Sequence, residues 1–161
     1  MGVCGASSTA DQAAVFKTAL DQVGKFSSAT GPDGGNLACV WAVRHIIKMA
    51  TGRMVTNVDG TGDFAPQLKA CFGKSFKEAD VPAGSIIISP TEQSKSKRNI
   101  GHLGLVGDYT GDDSRLIYSN SSADALSEQN KTLKSWKAHY QDEKGLEVLF
   151  FPVPNNSIPM A

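Results

Sequence analysis

The apolar residues of this chain keep two rhythms, and the change between them decides its fold class. Up to Phe72 they recur three and four residues apart. Val15, Phe16, Ala19, Leu20 and Val23 share one side of a helix expected over 11–23, with Ser8 or Thr9 available as its cap. Val40, Val43, Ile47 and Ala50 form a stripe on a second helix, which the pair Thr51-Gly52 ends. Phe64, Leu68, Cys71 and Phe72 suit a short third helix near 64–72. From Ser85 onward the apolar residues gather in compact runs instead: SIIIS (85–89), HLGLVG (102–107), RLIYSNS (115–121) and LEVLFFPV (146–153). One more helical segment is expected over 132–140. Helices first and strands afterwards imply an α+β chain, with N-terminal helices packed on an antiparallel sheet. No repeat or linker divides it. The expected organisation is a loose small-residue tail over 1–9 and a single domain over 10–161, long enough to bury one core.

Charge excludes several function classes. Lys plus Arg and Asp plus Glu both total 16, for a formal net charge of zero. A nucleic-acid or anionic-membrane partner therefore has no global electrostatic support. The one basic cluster, KSKR at 95–98, sits in a polar loop and reads as a solvated stretch. No run approaches the ~20 apolar residues of a membrane span. The opening MGVCGASSTA lacks a cationic segment followed by an apolar one, so no classical signal peptide is expected. Ala6 stands where an N-myristoylation signal wants Ser or Thr.

Three cysteines are present, Cys4, Cys39 and Cys71. They are too few and too scattered to predict a disulfide framework, and no CxxC pair suggests zinc. Cys71 reads as a small buried hydrophobe, and Cys4 has no expected role. Cys39 differs. It stands at the threshold of the second helix, behind the lead-in GPDGGN. A helix N-terminus lowers a thiol pKa, and its free N–H groups can receive an oxyanion. Glycines just upstream would let a substrate backbone come close.

A thiol nucleophile needs a base, and there are three histidines. His45, six residues along the same helix, is roughly 240° around the axis from Cys39 and cannot face it. His139, in SWKAHY, falls late in an expected surface helix. His102 opens an apolar strand, where a side chain can project into a cleft. On the next strand Tyr118, Ser119, Asn120 and Ser121 are the available orienters, and Asn120 is preferred because an amide oxygen can fix the imidazole tautomer. The carboxylates offer no pair suited to opposing cleft walls, which argues against a muramidase. Gly35, Asn36, Trp41 and Gly101 are the candidate substrate-binding positions around Cys39 and His102.

These residues resemble a known family. ALDQVGKFSSATGPDGGNLACVWAVRHII is similar to the helix, small-residue loop and nucleophile helix of the NlpC/P60 and CHAP cysteine peptidases. VPAGSIIIS followed by IGHLGLVGDY resembles their proline-glycine-strand segment and histidine strand, so the likeness spans roughly residues 10–122 in matching order. It implies a papain-like fold and amide hydrolysis in bacterial cell-wall peptides without a cofactor. It also implies Cys39 as nucleophile, His102 as base and Asn120 as third member. The chain departs from the family at Ala38-Cys39-Val40-Trp41, where Asp-Cys-Ser-Gly is common, and at Phe26, where a tyrosine is common.

The expected function is thus a thiol amidohydrolase acting on peptidoglycan stem peptides. Synthesis in the cytoplasm and delivery to the periplasm or wall by a secretion machine, a phage or lysis would suit it. An immunity or inhibitor protein would be a natural partner of an antibacterial effector. A thiol acyltransferase, a protein-directed cysteine peptidase, and a binding protein that has lost its activity stay open as alternatives.

Overall fold

A computed structural model describes residues 4–35, 38–93 and 98–156. Helix α1 (Thr9–Asp21) starts where the Asp11 N–H donates to the Ser8 side chain at 3.1 Å. Helix α2 (Cys39–Thr51) ends at Gly52, whose φ of 78° supplies the left-handed stop that the sequence led one to expect. Helix α3 (Thr61–Phe72) ends in the same way at Gly73. The strands β1 (Ile86–Ser89), β4 (His102–Val106), β5 (Leu116–Ser121), β6 (Leu126–Thr132) and β7 (Leu149–Phe151) form one antiparallel sheet in the order β6-β5-β4-β1-β7. A separate two-stranded ribbon pairs β2 (Glu92–Gln93) with β3 (Arg98–Asn99). The α+β class is as expected.

Both faces of the sheet are covered. Ile86, Ile88, Leu103, Leu105 and Tyr118 meet the three N-terminal helices. Ile87, Val106, Ile117 and Phe150 point the other way, into a second core with Leu133, Trp136 and Tyr140. Burial on both sides explains why β1 reads as an unbroken IIIS run instead of an alternating one.

Several expectations need correction. Strand β6 lies in a segment with no strand signal, because LSEQNKT forms the sheet edge and keeps most of its side chains at or near solvent. The helix expected over 132–140 is a short α4 (Leu133–Trp136), which continues into a π-helical turn over Lys137–Glu143. The strand expected over 146–153 contracts to β7. The tail expected over 1–9 is anchored in its described part. Ala6 pairs with Pro154, the Ser7 N–H donates to the Val153 carbonyl at 2.8 Å, and Cys4 forms a disulfide with Cys71. That bridge joins residues 67 apart in sequence with Cα atoms 4.9 Å apart, a pairing no spacing motif announces. Asn36 and the KSK of the basic cluster lie outside the described residues.

Candidate active site

Cys39 is the first residue of α2, and its N-cap, Ala38, makes no side-chain cap hydrogen bond. The N–H groups of that first turn are left to other uses. The lead-in loop is held by close packing and by one amide. Gly31 abuts the Trp41 ring, and Gly35 adopts a φ of 98° against Ala125 and the Ser28 hydroxyl, leaving no room for a Cβ. Asn120 Nδ2 donates to the Gly35 carbonyl at 2.9 Å, while the Ser28 hydroxyl donates to Asn120 Oδ1 at 2.5 Å.

His102 opens β4, opposite Ser89 of β1. The Gly101 that precedes it is obligatory, since a Cβ there would overlap the Ser89 carbonyl oxygen. The imidazole lies in a pile of aromatic rings, 5.3 Å from Trp136 at an interplanar angle of 19° and 5.8 Å from Tyr140 at 29°. Trp136 is in turn fixed by its indole N–H, which donates to the Ser89 hydroxyl at 3.0 Å.

Cys39, His102, Asn120 and Gly101 all line one cavity of about 460 Å³ at the end of the sheet. Cys39 arrives from the helical face and His102 from the aromatic face. Gly35 and Trp41 are not part of that lining. Gly35 is a tightly packed turn of the lead-in loop, and Trp41 packs at a tilt against Phe26 and His45, 5.8 and 4.3 Å away. His45 is tied to the Trp41 carbonyl at 2.6 Å, away from Cys39.

Asn120 does not orient His102 here. The pairing Leu105↔Tyr118 puts those side chains on the helical face, and the two-residue strand period puts Asn120 there too. His102 has the opposite parity on β4. Among the described residues no side-chain oxygen is hydrogen-bonded to its ring, and aromatic packing holds it in place.

The charge states also differ from expectation. The helix start was expected to lower the Cys39 pKa. Instead desolvation pushes the thiol up, to about 11, against the weaker pull of the Val40 and Leu103 backbone N–H groups toward thiolate. Cys39 keeps part of its surface open, but protein surrounds its sulfur closely enough for burial to dominate. Desolvation likewise lowers His102 to about 3, helped by the charges of Lys131, Lys144 and His139. A neutral thiol and a neutral imidazole therefore face the cavity at pH 7.

Sequence reasoning missed Tyr140, Lys131, Lys144 and the cavity position of His139. For all of these but Lys131, the dense aromatic-basic run SWKAHYQDEK was the available signal. It was hidden because the segment looks like an ordinary surface helix. Comparisons with protein-family models, with curated proteins and with solved structures find no match for this chain.

Proposed function

We propose that the protein is a thiol amidohydrolase of papain-like architecture that cleaves amide bonds in peptidoglycan stem peptides. The observation that carries this reading is the convergence of Cys39 and His102, from different elements, on one open cavity with backbone N–H groups at the thiol. The ordered resemblance to NlpC/P60 and CHAP peptidases points the same way.

With both groups neutral at rest, the chemistry is general-base catalysis and not attack by a standing thiolate. Cys39 Sγ attacks the carbonyl carbon as its proton passes to His102. First-turn N–H groups hold the oxyanion. The imidazolium returns the proton to the leaving nitrogen, the C–N bond breaks and a thioester remains. His102 then takes a proton from water, whose oxygen displaces the sulfur and frees the carboxylic acid and the thiol.

The Cys4–Cys71 disulfide supports action in an oxidising compartment such as the periplasm or cell exterior. Delivery by a secretion machine, a phage particle or lysis fits that setting, and so does a protecting immunity protein in the producing cell. Among the described residues no helix is long and apolar enough to cross a membrane.

Mass spectrometry of purified peptidoglycan digested by the wild type and by Cys39→Ala tests the reading. New amine and carboxyl ends should appear with the wild type alone. A second reading, a binding protein that retained the fold, is favoured by the raised thiol pKa and by the lack of a hydrogen bond between Cys39 and His102. Intact wall fragments after wild-type treatment would select it.

A further inference from the structure

The cavity has a cationic side that the proton transfers between Cys39 and His102 do not use. Lys131, near the end of β6, holds its ammonium 5.8 Å from the Tyr140 ring centroid, and Lys144, just past the π turn, holds its own at 5.5 Å. Tyr140 is the ring that packs on His102, so both charges surround one partner of the base. Lys131, Lys144 and His139 all line the cavity with Cys39. Lys144 is fixed further, since its ammonium donates to the Ile100 carbonyl at 2.7 Å.

Two carboxylates near this side are engaged elsewhere. Asp59, in the same lining, is bound by Arg44 at 2.8 Å, and Glu143 sits outward against His139 at 2.9 Å. Among the described residues no carboxylate forms an ion pair with Lys131. Burial and the neighbouring Lys144 lower the Lys131 pKa, as expected for two like charges beside one half-open cavity. A bound anion would relieve both effects.

We propose that this side of the cavity is a subsite for a carboxylate of the substrate, gripped by Lys131 and Lys144, beside the bond that Cys39 attacks. The inference rests on the thiol-hydrolase reading for its reacting group and narrows the substrate class. The peptide cleaved carries an acidic side chain or a terminal carboxylate close to the scissile amide. The two lysines act here as specificity residues, with Tyr140 as the plate that spaces them.

Alkylation of Cys39, followed by mass spectrometry at pH 9 and low salt, reads this charge without any hydrolysis. The wild type should favour anionic iodoacetate over neutral iodoacetamide relative to a free-cysteine peptide. Lys131→Met with Lys144→Met should lower that ratio roughly fivefold, the scale of one ion pair in water. Lys131→Arg with Lys144→Arg should keep it, and added salt should shrink the wild-type preference. A ratio the same in wild type and Met variant overturns the subsite. Wall peptides with a free or amidated side-chain carboxylate, and with a free or amidated C-terminus, then name the source. Amidation at the correct one should raise KM in the wild type and leave the Met variant unaffected; equal KM for every peptide also overturns the subsite. If no peptide is cleaved at all, the hydrolase reading falls, and the alkylation ratio still decides whether the cationic side attracts a carboxylate.

Discussion

The two faces of the sheet are built from different materials. On one, α1, α2 and α3 bring aliphatic side chains such as Val15, Val43, Ile47 and Leu68 against Ile86, Ile88, Leu103 and Leu105. On the other, a one-turn helix and a π-helical turn lay Trp136 and Tyr140 against Ile87, Ile117 and Phe150. The regular face presents the candidate nucleophile and the irregular face grips the candidate base. Cys39 stands at a helix end, which a regular element provides without distortion. Stacked rings seat the His102 imidazole where no hydrogen-bonded orienter does, and their dryness lowers its pKa.

The largest test of this division removes one group from each face. Cys39→Ala and His102→Ala should each bring wall hydrolysis close to the uncatalysed level, and the double variant should be no worse than either, because the two act as one unit. Product release from purified peptidoglycan measures it. Two independent contributions would instead multiply.

The next test is energetic. Trp136→Ala should cost about 3–5 kcal/mol in denaturant unfolding, and in any variant still folded kcat should drop while Cys39 stays alkylatable. Trp136→Phe keeps a ring but loses the bond to Ser89, and should cost about 1 kcal/mol. On the helical face, reducing the Cys4–Cys71 bridge, or replacing both cysteines with Ala, should cost about 2–4 kcal/mol. Thermal melts with and without reductant show it, and an active reduced protein would confirm that the bridge serves stability and not chemistry.

Asn120→Ala should cost about 1–3 kcal/mol, since it leaves the Ser28 hydroxyl and the Gly35 carbonyl without their partner. Activity should fall with the order of the lead-in loop, and Asn120→His should not restore it. Recovery by His would return Asn120 to the role of imidazole orienter.

The smallest effects concern pH. The folded His102 pKa is lowered from 6.5 to about 3, so the unfolded chain binds more protons between those values and stability should decline as pH falls through that window. His102→Gln should flatten the decline in melting temperature. The folded Cys39 value is raised from 9.0 to about 11, so the unfolded chain loses its proton first and stability should also fall as pH rises across that range. Iodoacetamide should label Cys39 slowly at pH 6 and faster with each unit up to about 11. A fast plateau at pH 6 would mean a standing thiolate.

The regular face was the legible one. Stripes such as Val40, Val43 and Ile47 follow from helix geometry alone, and the glycine-rich approach to Cys39 marks a helix start. His102 could be placed because it opens an apolar run after Ile100-Gly101. What stayed hidden, on either face, did so for physical reasons. Strand β6 holds its place by backbone bonds at an edge, so LSEQNKT carries no apolar alternation. The side of β5 on which Asn120 falls depends on the register with β4, which neither strand states by itself. Cys4 and Cys71 meet only because residues 5–7 pair with 153–155, a contact across nearly the whole chain.

The π-helical turn sets how the segment that seats His102 answers a change of chain length. Its bonds span one more residue per turn than those of an α-helix, so it behaves as a helix carrying one extra residue. Deleting a single residue between Trp136 and Tyr140 would let the turn relax to α geometry. Tyr140 would then stay within about 30° of its present direction around the axis, because the residue lost and the tighter turn nearly cancel, and Lys144 would keep its place behind it. A one-residue deletion here should therefore disturb the seat of His102 less than one in a regular helix, where every later side chain turns by about 100°.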